Sequence, residues 1–235
     1  FIGPFSFQPS ELLKLTFIIY LAALLANRVP GRKEFNRVKG WTMQRFLEGR
    51  EALIPFAAAT GVISLLLILQ PDVSTLGVIG LTGIIMYFAS GTPWWHAPFM
   101  LGGGLAALIV LIQLAPYRFS RLKVFLDPLL DPLGQGYQMK QALIGIGSGG
   151  VTGIGVGLSF QKFGFLPEPI SDSIFPVFAE EFGFVGSVTL VIAFLVFALR
   201  GLWVAARAPD LYGGILAVGI VVVITSQAFL NIAAM

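Results

Sequence analysis

Long apolar runs separated by short polar segments are the main pattern of the chain. Six runs approach the roughly 20 residues that a helix needs to cross a bilayer; they lie near residues 11–27, 53–69, 76–89, 97–115, 175–199 and 211–235. Lipid offers no partner for exposed backbone groups, and the sequence lacks the ten-residue alternation of a membrane β-barrel. The pattern predicts an all-α fold, a polytopic membrane helical bundle.

The composition supports a membrane protein and narrows its chemistry. Of the 235 residues, 56% are hydrophobic and 11% are charged, whereas about 25% of a soluble domain is charged. The absence of cysteine and the presence of one histidine exclude disulfides, thiolate zinc sites, cysteine nucleophiles and a multi-histidine metal site. That histidine, His96, follows Trp94 and Trp95 and is interpreted as part of an interfacial aromatic belt. Any chemistry must use carboxylates, lysines, arginines and hydroxyls.

The distribution of charge predicts the orientation in the membrane. Residues 28–51 hold seven Lys/Arg and three Asp/Glu, whereas the rest of the chain has eight basic and nine acidic residues. Because Lys and Arg accumulate in cytoplasmic loops, we interpret residues 28–51 as a cytoplasmic basic loop. Residues 70–75 and 116–174 then lie outside. The net charge of +3 is thus an orientation signal and indicates no nucleic-acid partner.

The predicted extracytoplasmic loop 116–174 is long enough that we expect it to carry function. Within it, the stretch from Tyr137 to Phe160 is Gly-rich and weakly apolar. This pattern favours a re-entrant or surface-lying helix folded over the bundle. Gly149, Gly153 and Gly157 are four apart, a spacing typical of close helix packing.

We expect residues 1–235 to form a single integral membrane domain. The chain begins at Phe1 without an initiator methionine and stops at Met235 inside an apolar run, so we expect a fragment of a longer protein. The first apolar run has no basic start and no small-residue cleavage site, so it is a span and not a signal peptide.

Two small groups of polar residues lie at the outer ends of predicted spans. Glu11 and Lys14 are three apart, so on a helix they share a face and can pair. Ionisable residues inside spans usually face a cavity or a partner; a Glu11 that caps the helix and a Lys14 that extends to the membrane surface are the alternative. Asp72 either bonds its own backbone as a turn residue or, if the turn is recessed, completes an ion-pair cluster with Glu11 and Lys14.

The densest acidic cluster leads into the fifth predicted span. Its carboxylates, and the polar pair that precedes them, are Glu168, Asp172, Glu180, Glu181, Gln161 and Lys162. Carboxylates that lie close together or are partly buried raise one another's pKa, so the cluster can supply a general base or a divalent-cation site. A solvated loop followed by an acidic helical turn is the alternative.

At these three groups the sequence resembles the SEDS family of bacterial cell-wall polymerases, which contains FtsW, RodA and SpoVE. The motifs that match in order and spacing are Phe7-Gln8-Pro9-Ser10-Glu11 with Lys14, Leu69-Gln70-Pro71-Asp72, Asp127-Pro128, Asp131-Pro132-Leu133-Gly134-Gln135-Gly136-Tyr137-Gln138, Gly147-Ser148-Gly149-Gly150, Gln161-Lys162, Leu166-Pro167-Glu168, Asp172 and Ala179-Glu180-Glu181-Phe182-Gly183. Gln161-Lys162 and the Pro-Glu-Pro sequence resemble FtsW more than RodA. The resemblance implies a fragment that covers roughly spans four to nine of the family's fold.

The resemblance also implies a function. It is that of a peptidoglycan glycosyltransferase, which polymerises lipid II into glycan strands at the outer face of the bacterial cytoplasmic membrane and releases undecaprenyl pyrophosphate, for cell division or cell shape. Asp172 corresponds to the proposed catalytic base, since a carboxylate can take the proton of an attacking sugar hydroxyl. The implied substrate-binding residues are Glu11, Lys14, Asp72, Gln161, Lys162, Glu168 and Glu181.

The resemblance further implies a cofactor and partners. A divalent cation, Mg²⁺ or Mn²⁺, would assist near the pyrophosphate, and the outer acidic cluster is its candidate site. The implied partners are lipid II and the growing glycan strand, a class B penicillin-binding protein transpeptidase, other division or elongation proteins, and membrane lipid.

Two motifs depart from the family pattern, and two other functions stay open. Val73-Ser74-Thr75 stands where Leu-Gly-Thr is usual, and Ile170-Ser171-Asp172-Ser173 stands where His-Thr-Asp-Phe is usual. The aspartate is kept in both. A transporter (flippase) of a lipid-linked cell-wall precursor would also use Glu11, Lys14 and Asp72 as a polar path. A division scaffold would use the outer loop to bind partner proteins.

Overall fold

The computed structural model describes residues 8–28, 43–70, 72–114, 135–161 and 173–233. Within these ranges the chain forms helices and no strand. The α-helices are α1 (Pro9–Arg28), α2 (Met43–Leu69), α3 (Val73–Ala89), α4 (Ala97–Leu114), α5 (Gln135–Ser148), α6 (Ile174–Ala206) and α7 (Leu211–Ala233), and a short 3₁₀ helix lies at Trp94–His96. The predicted all-α class is confirmed.

The apolar helices confirm a polytopic membrane protein. Among the described residues, four helical segments are long and apolar enough to cross a membrane: Pro9–Arg28, Glu51–Leu69, Ile174–Ala206 and Leu211–Ala233. A shorter apolar helix lies at Ser74–Ala89. These segments correspond to five of the six predicted spans, and α4 corresponds to the sixth.

Two helices extend beyond the predicted spans. Helix α2 begins at Met43, inside the segment predicted as the basic loop, because Met, Gln, Arg, Leu and Glu are strong helix formers whether or not they are apolar. Helix α6 continues to Ala206, and just beyond its end the guanidinium of Arg207 lies 3.6 Å from the ring centroid of Trp203. The predicted spans stop short of both ends because charged residues interrupt the apolar pattern there, Arg45, Glu48 and Arg50 in α2 and Arg200 in α6.

The chain divides into two compact units. Phe1–Met100 with Phe197–Gln227 form the first unit, and Leu101–Val196 with Ala228–Met235 form the second. In the first unit α1, α2 and α3 pack against one another around a core of Phe17, Ile18, Leu21, Leu25, Phe56, Leu67, Ile79, Met86 and Tyr87. Gly219 brings α7 against this core, since a Cβ there would lie 2.5 Å from Ile18 and 2.7 Å from Met86. That residues 1–235 form one membrane domain stays a prediction.

In the second unit, the prediction of a helix within the stretch from Tyr137 to Phe160 is wrong for the second half of that stretch. Helix α5 ends at Ser148, and residues 149–161, here called the glycine strap, form turns and irregular structure. Four of the strap's glycines have positive φ, a conformation that glycine adopts readily and that a helix cannot contain. The four-residue spacing of its glycines therefore does not reflect helix packing.

Candidate functional site

The first polar group lies at the start of α1. The ammonium of Lys14 donates to Glu11 Oε1 and to Gln227 Oε1, both at 2.7 Å. Lys14 is 3% exposed, whereas the side chain of Glu11 is 53% exposed. The predicted pairing of Glu11 with Lys14 is confirmed. The lysine does not extend to the surface. Its ammonium is held by acceptors on α1 and on α7, because a buried cation needs acceptors on several sides.

Gln227 is a member of this group that sequence analysis missed. It lies on α7, more than two hundred residues from Lys14 in the chain. The only signal was a long polar side chain inside an apolar run, and such residues usually find a partner within the bundle. Its partner could not be read from sequence spacing.

Asp72 is the N-cap of α3. Its Oδ1 accepts from the Thr75 backbone N–H at 3.0 Å and from the Ser74 hydroxyl at 3.1 Å. Burial raises the pKa of this carboxyl. The hydrogen bonds and the attraction of Lys14 lower the pKa by more than burial raises it, so the net pKa lies below the ordinary 3.8. Among the described side chains the ion pair formed is Lys14 with Glu11. Asp72 therefore makes no ion pair with Lys14 among the described side chains and acts on it only at longer range. It bonds the backbone of its own turn, as a turn residue does.

The second polar group surrounds Glu180 on α6. This carboxylate is 2% exposed. Its Oε1 accepts from the Ser148 hydroxyl at 3.2 Å, and its Oε2 accepts from the Ser159 hydroxyl and from the Gln161 backbone N–H, the latter at 3.3 Å. A buried carboxylate in an apolar helix is costly unless such donors surround it.

Helix α6 is broken three residues beyond Glu180. Gly183 has φ 66° and ψ −164°, a region that is essentially reserved for glycine. The break frees backbone groups of α6, and the glycine strap pairs with them. The strap's amides donate to α6 carbonyls, and its carbonyls accept from α6 amides, in the pairs Ile154 N to Glu180 O (3.0 Å), Gly155 N to Glu181 O (3.2 Å), Phe184 N to Gly150 O (2.9 Å) and Val185 N to Val151 O (3.1 Å).

The strap lies so close to α6 that two of its glycines, Gly149 and Gly153, leave no room for a side chain. A Cβ on Gly149 would lie 2.2 Å from Ala179 O, and one on Gly153 would lie 2.0 Å from Glu181 O. Within the motif Gly147-Ser148-Gly149-Gly150, Gly149 thus permits close backbone approach, and Ser148 donates to Glu180.

The other predicted site residues have mixed outcomes. Gln161 is buried, and its Oε1 has no hydrogen-bond partner among the described residues. Glu181 is half-buried beside Glu180, and its backbone carbonyl takes part in the strap pairing. Lys162, Glu168 and Asp172 lie outside the described residues, so their predicted roles stay predictions.

Glu181, and not Glu180, is the predicted substrate-binding residue, but Glu180 is the buried carboxylate whose two oxygens both accept hydrogen bonds. Both belong to the same motif, Ala179-Glu180-Glu181-Phe182-Gly183. Adjacent helical residues point in directions about 100° apart, so only the tertiary structure shows which of them faces the strap.

His96 does not share the exposed surface of the neighbouring Trp94. It is fully buried, and its Nδ1 lies 2.6 Å from the hydroxyl of the equally buried Tyr87. Burial lowers the pKa of His96 below 6.5. Trp94, by contrast, is 76% exposed and stacks on Phe88, as expected of a residue in an aromatic belt.

An apolar cavity of about 460 Å³ lies beside the glycine strap in the second unit. Its walls include Ile146 on α5 and Phe175, Ala179, Phe184 and Ile192 on α6. Such a cavity can hold an apolar chain but offers little to a polar ligand.

The described residues contain no group of three or more His, Asp or Glu side chains that could hold a metal ion. The oxygens of Glu180 are already occupied by hydroxyl and amide donors. The fit of a divalent cation is therefore not supported by this part of the chain.

Apolar helices with buried ionisable side chains define the class of integral membrane proteins that keep polar groups among their helices. The family described as "Cell cycle protein", FtsW/RodA/SpoVE, matches residues 1–235, and the chain belongs to this family. With its apolar helices, family membership makes it a multi-pass protein of the bacterial cytoplasmic membrane.

Individual relatives are similar over almost the whole chain. "Stage V sporulation protein E" of Bacillus subtilis (strain 168) is 38% identical over 234 residues, which cover 98% of this chain and 59% of the relative. "Probable peptidoglycan glycosyltransferase FtsW" of Nitrosococcus halophilus (strain Nc4) is 39% identical over 237 residues, which cover 98% of this chain and 57% of the relative. The chain thus spans less than two thirds of the length of these relatives.

A solved structure shares the fold. It is described as "Structural coordination of polymerization and crosslinking by a peptidoglycan synthase complex" and aligns with a TM-score of 0.67 at 27% identity. The alignment covers 100% of this chain and 61% of the other chain.

Proposed function

We propose that this protein is a peptidoglycan glycosyltransferase that polymerises lipid II into glycan strands at the outer face of the cytoplasmic membrane, for cell division or cell shape. The observation that carries the proposal is 39% identity over 98% of the chain to a relative named as a probable peptidoglycan glycosyltransferase. The apolar cavity beside the glycine strap supports a site for the lipid chain of such a substrate.

In the proposed reaction Asp172 is the general base. Its carboxylate takes the proton of a sugar hydroxyl, whose oxygen then forms a bond to the anomeric carbon of the second substrate. The bond between that carbon and the pyrophosphate oxygen breaks, and undecaprenyl pyrophosphate leaves with the bonding electron pair. A hydroxyl is a poor nucleophile until its proton is removed, which is why the reaction needs a positioned carboxylate.

The proposed substrate-binding residues are Glu11, Lys14, Asp72, Gln161, Lys162, Glu168 and Glu181. The Oε1 of the buried Gln161 has no partner within the described ranges, which supports its assignment, because an acceptor left without a donor is costly and a substrate N–H or O–H would satisfy it. Among the described residues Lys14 has two acceptors, and an ammonium has three donor hydrogens, so the third can serve a substrate oxygen or a water.

The proposed cofactor and partner rest on family resemblance. A divalent cation, Mg²⁺ or Mn²⁺, would assist departure of the pyrophosphate; since the described residues do not form its site, no step is assigned to it. Removal of divalent ions with EDTA is expected to slow polymerisation, and an unchanged rate would exclude the cation.

A class B penicillin-binding protein is the proposed transpeptidase partner, and co-purification of the two full-length proteins tests the pairing.

The central experiment measures lipid II polymerisation by the full-length protein with its transpeptidase partner. Asp172→Asn is expected to lower the rate by about 10²- to 10⁴-fold, the usual contribution of a general base. Asp210→Asn is the matched control, because Asp210 caps α7 by accepting from Gly213 N at 2.9 Å, and an asparagine oxygen can replace it. Polymerisation at the wild-type rate by Asp172→Asn would overturn the assignment.

A flippase is the second candidate, and the buried Lys14 with Glu11 and Gln227 is the observation in its favour. Charged groups inside a bundle can line a translocation path. Reconstituted vesicles distinguish the two functions. Lipid II movement that Glu11→Gln abolishes and Asp172→Asn leaves intact would favour a transporter, whereas loss of glycan strands in Asp172→Asn supports the polymerase.

A further inference from the structure

The carboxylate of Glu180 joins the two ends of the glycine strap. Ser148, which precedes the strap, contacts Oε1, and Ser159 and Gln161, at its other end, contact Oε2. The middle of the strap is held by backbone pairing across the break in α6. The side chain of Glu180 thus links the two ends of the strap through hydrogen bonds.

The ends of the strap determine where the segment that carries Asp172 begins. Gln161 is the last residue of the strap, and residues 162–172 follow it directly in the sequence. At the far end of that segment Ser173 is fully buried and accepts from Gln138 Nε2 at 3.1 Å. Both residues that border the segment are therefore held by hydrogen bonds within the second unit.

We infer that Glu180 is a positioning residue, which fixes the strap, and with it the start of the Asp172 segment, by hydrogen bonding and not by charge. Its effect on the reaction rests on the proposed transferase function. Its effect on the strap does not depend on that function and can be measured separately.

The chemistry of the partners shows why charge is dispensable. The donors to Glu180 are two hydroxyls and one amide, all neutral, and among the described side chains no lysine or arginine forms an ion pair with it. A glutamine has the same length. Its oxygen can accept from Ser159 and from Gln161 N–H, and its NH₂ group can donate to Ser148 Oγ.

The hydroxyl of Ser148 permits this exchange of roles. It lies 2.9 Å from Gly145 O as well as 3.2 Å from Glu180 Oε1, so its proton can go to the carbonyl while its oxygen accepts from the amide. Alanine offers no polar atom at position 180, and aspartate is one methylene shorter. The set of hydrogen bonds therefore predicts that glutamine preserves the strap and that alanine does not.

The experiment measures amide hydrogen exchange of the full-length protein in peptides that cover residues 149–161, together with kcat and KM for lipid II polymerisation. Glu180→Ala is expected to speed exchange in the strap about tenfold or more, because its buried donors lose their acceptor. It is also expected to lower kcat more than it changes KM. Glu180→Gln is expected to restore wild-type exchange and kcat. Thr189→Ala is the control, since that exposed hydroxyl donates to Val185 O of its own helix.

Three results decide the inference. If Glu180→Gln is as defective as Glu180→Ala, charge is required and the inference is overturned. Wild-type exchange in Glu180→Ala overturns it as well. If Glu180→Ala does not fold, the Ser148→Ala, Ser159→Ala double variant removes two partners and keeps the glutamate; faster strap exchange in it supports the inference, and unchanged exchange refutes it. A wild-type protein that makes no glycan would refute the transferase proposal. The exchange measurements would still decide the role of Glu180 in the strap.

Discussion

At the residue scale, the buried ionisable side chains of this protein are compensated in different ways. Lys14 is buried with one acceptor that carries charge and one that does not. Glu180 has only neutral donors among the described residues. Because a charge in a low-dielectric interior needs opposite charge or several hydrogen bonds, Lys14 and Glu180 are expected to respond differently when a partner is removed.

Asp72 offers a test that separates its structural role from a catalytic one. Asparagine caps helices about as well as aspartate, so Asp72→Asn should change the free energy of unfolding by less than about 0.5 kcal/mol, whereas Asp72→Ala should cost about 1 kcal/mol. If the negative charge near Lys14 helps to bind substrate, Asp72→Asn should nevertheless slow polymerisation about tenfold. Thermal unfolding and the polymerisation assay give the two values.

A normal polymerisation rate in Asp72→Asn would show that Asp72 serves only as the helix cap.

The pH dependence of stability gives a further check on the carboxylate. Because the folded pKa lies below 3.8, the stabilisation by Asp72 is present above the ordinary pKa and is lost as the pH falls through the lowered value. Asp72→Asn should lack this acid loss.

At the element scale, the break in α6 and the glycine strap form one structure. A membrane helix can be interrupted only where other groups satisfy the freed backbone, and here the strap supplies those groups. Broken helices in membrane proteins often border functional sites. The break at Gly183 lies three residues from Glu180, so one short part of α6 provides both the carboxylate and the backbone groups that hold the strap.

Gly183→Ala should therefore loosen the strap. A Cβ at this position would lie 2.3 Å from Gly153 N, and an alanine in this backbone conformation is itself strained by about 1–3 kcal/mol. The expected result is a lower melting temperature and faster hydrogen exchange across residues 149–161.

Gly147→Ala is the matched control for this change. A Cβ at Gly147 would meet no atom within 4 Å, and alanine favours a helix over glycine by up to about 1 kcal/mol, so stability should be unchanged or raised. A Gly183→Ala protein that melts with the wild type would show that the break is not required.

At the scale of the whole molecule, the predicted orientation can be tested directly. The chain contains no cysteine, so single cysteines can be added one at a time, in a cysteine-free background of the full-length protein. Val156 is 73% exposed and is predicted to lie outside, whereas Asp210 is predicted to lie in the cytoplasm. In intact spheroplasts a membrane-impermeant maleimide should label Val156→Cys and not Asp210→Cys.

Lysis of the spheroplasts should make the cysteine at position 210 reactive, which controls for its burial. The reverse pattern of labelling would invert the predicted topology, and the polymerase proposal would then lose its placement of the site at the outer face.

The sequence by itself determined the helices, because in lipid an apolar run long enough to span must satisfy its own backbone as a helix. It also determined the pairing of Glu11 with Lys14, since three residues of helical rise bring their side chains together. Motif order and spacing were sufficient to indicate the family. All of these depend on local periodicity or on the linear order of residues.

Only the tertiary structure decided which polar residues meet across the chain. Gln227 reaches Lys14, and Ser148 and Ser159 reach Glu180, through packing between segments that are distant in sequence. Hydropathy could not show that α5 stops at Ser148 or that Glu180, and not Glu181, faces the strap. The break at Gly183 depends on backbone partners supplied by the strap, and no local pattern specifies where such partners will lie.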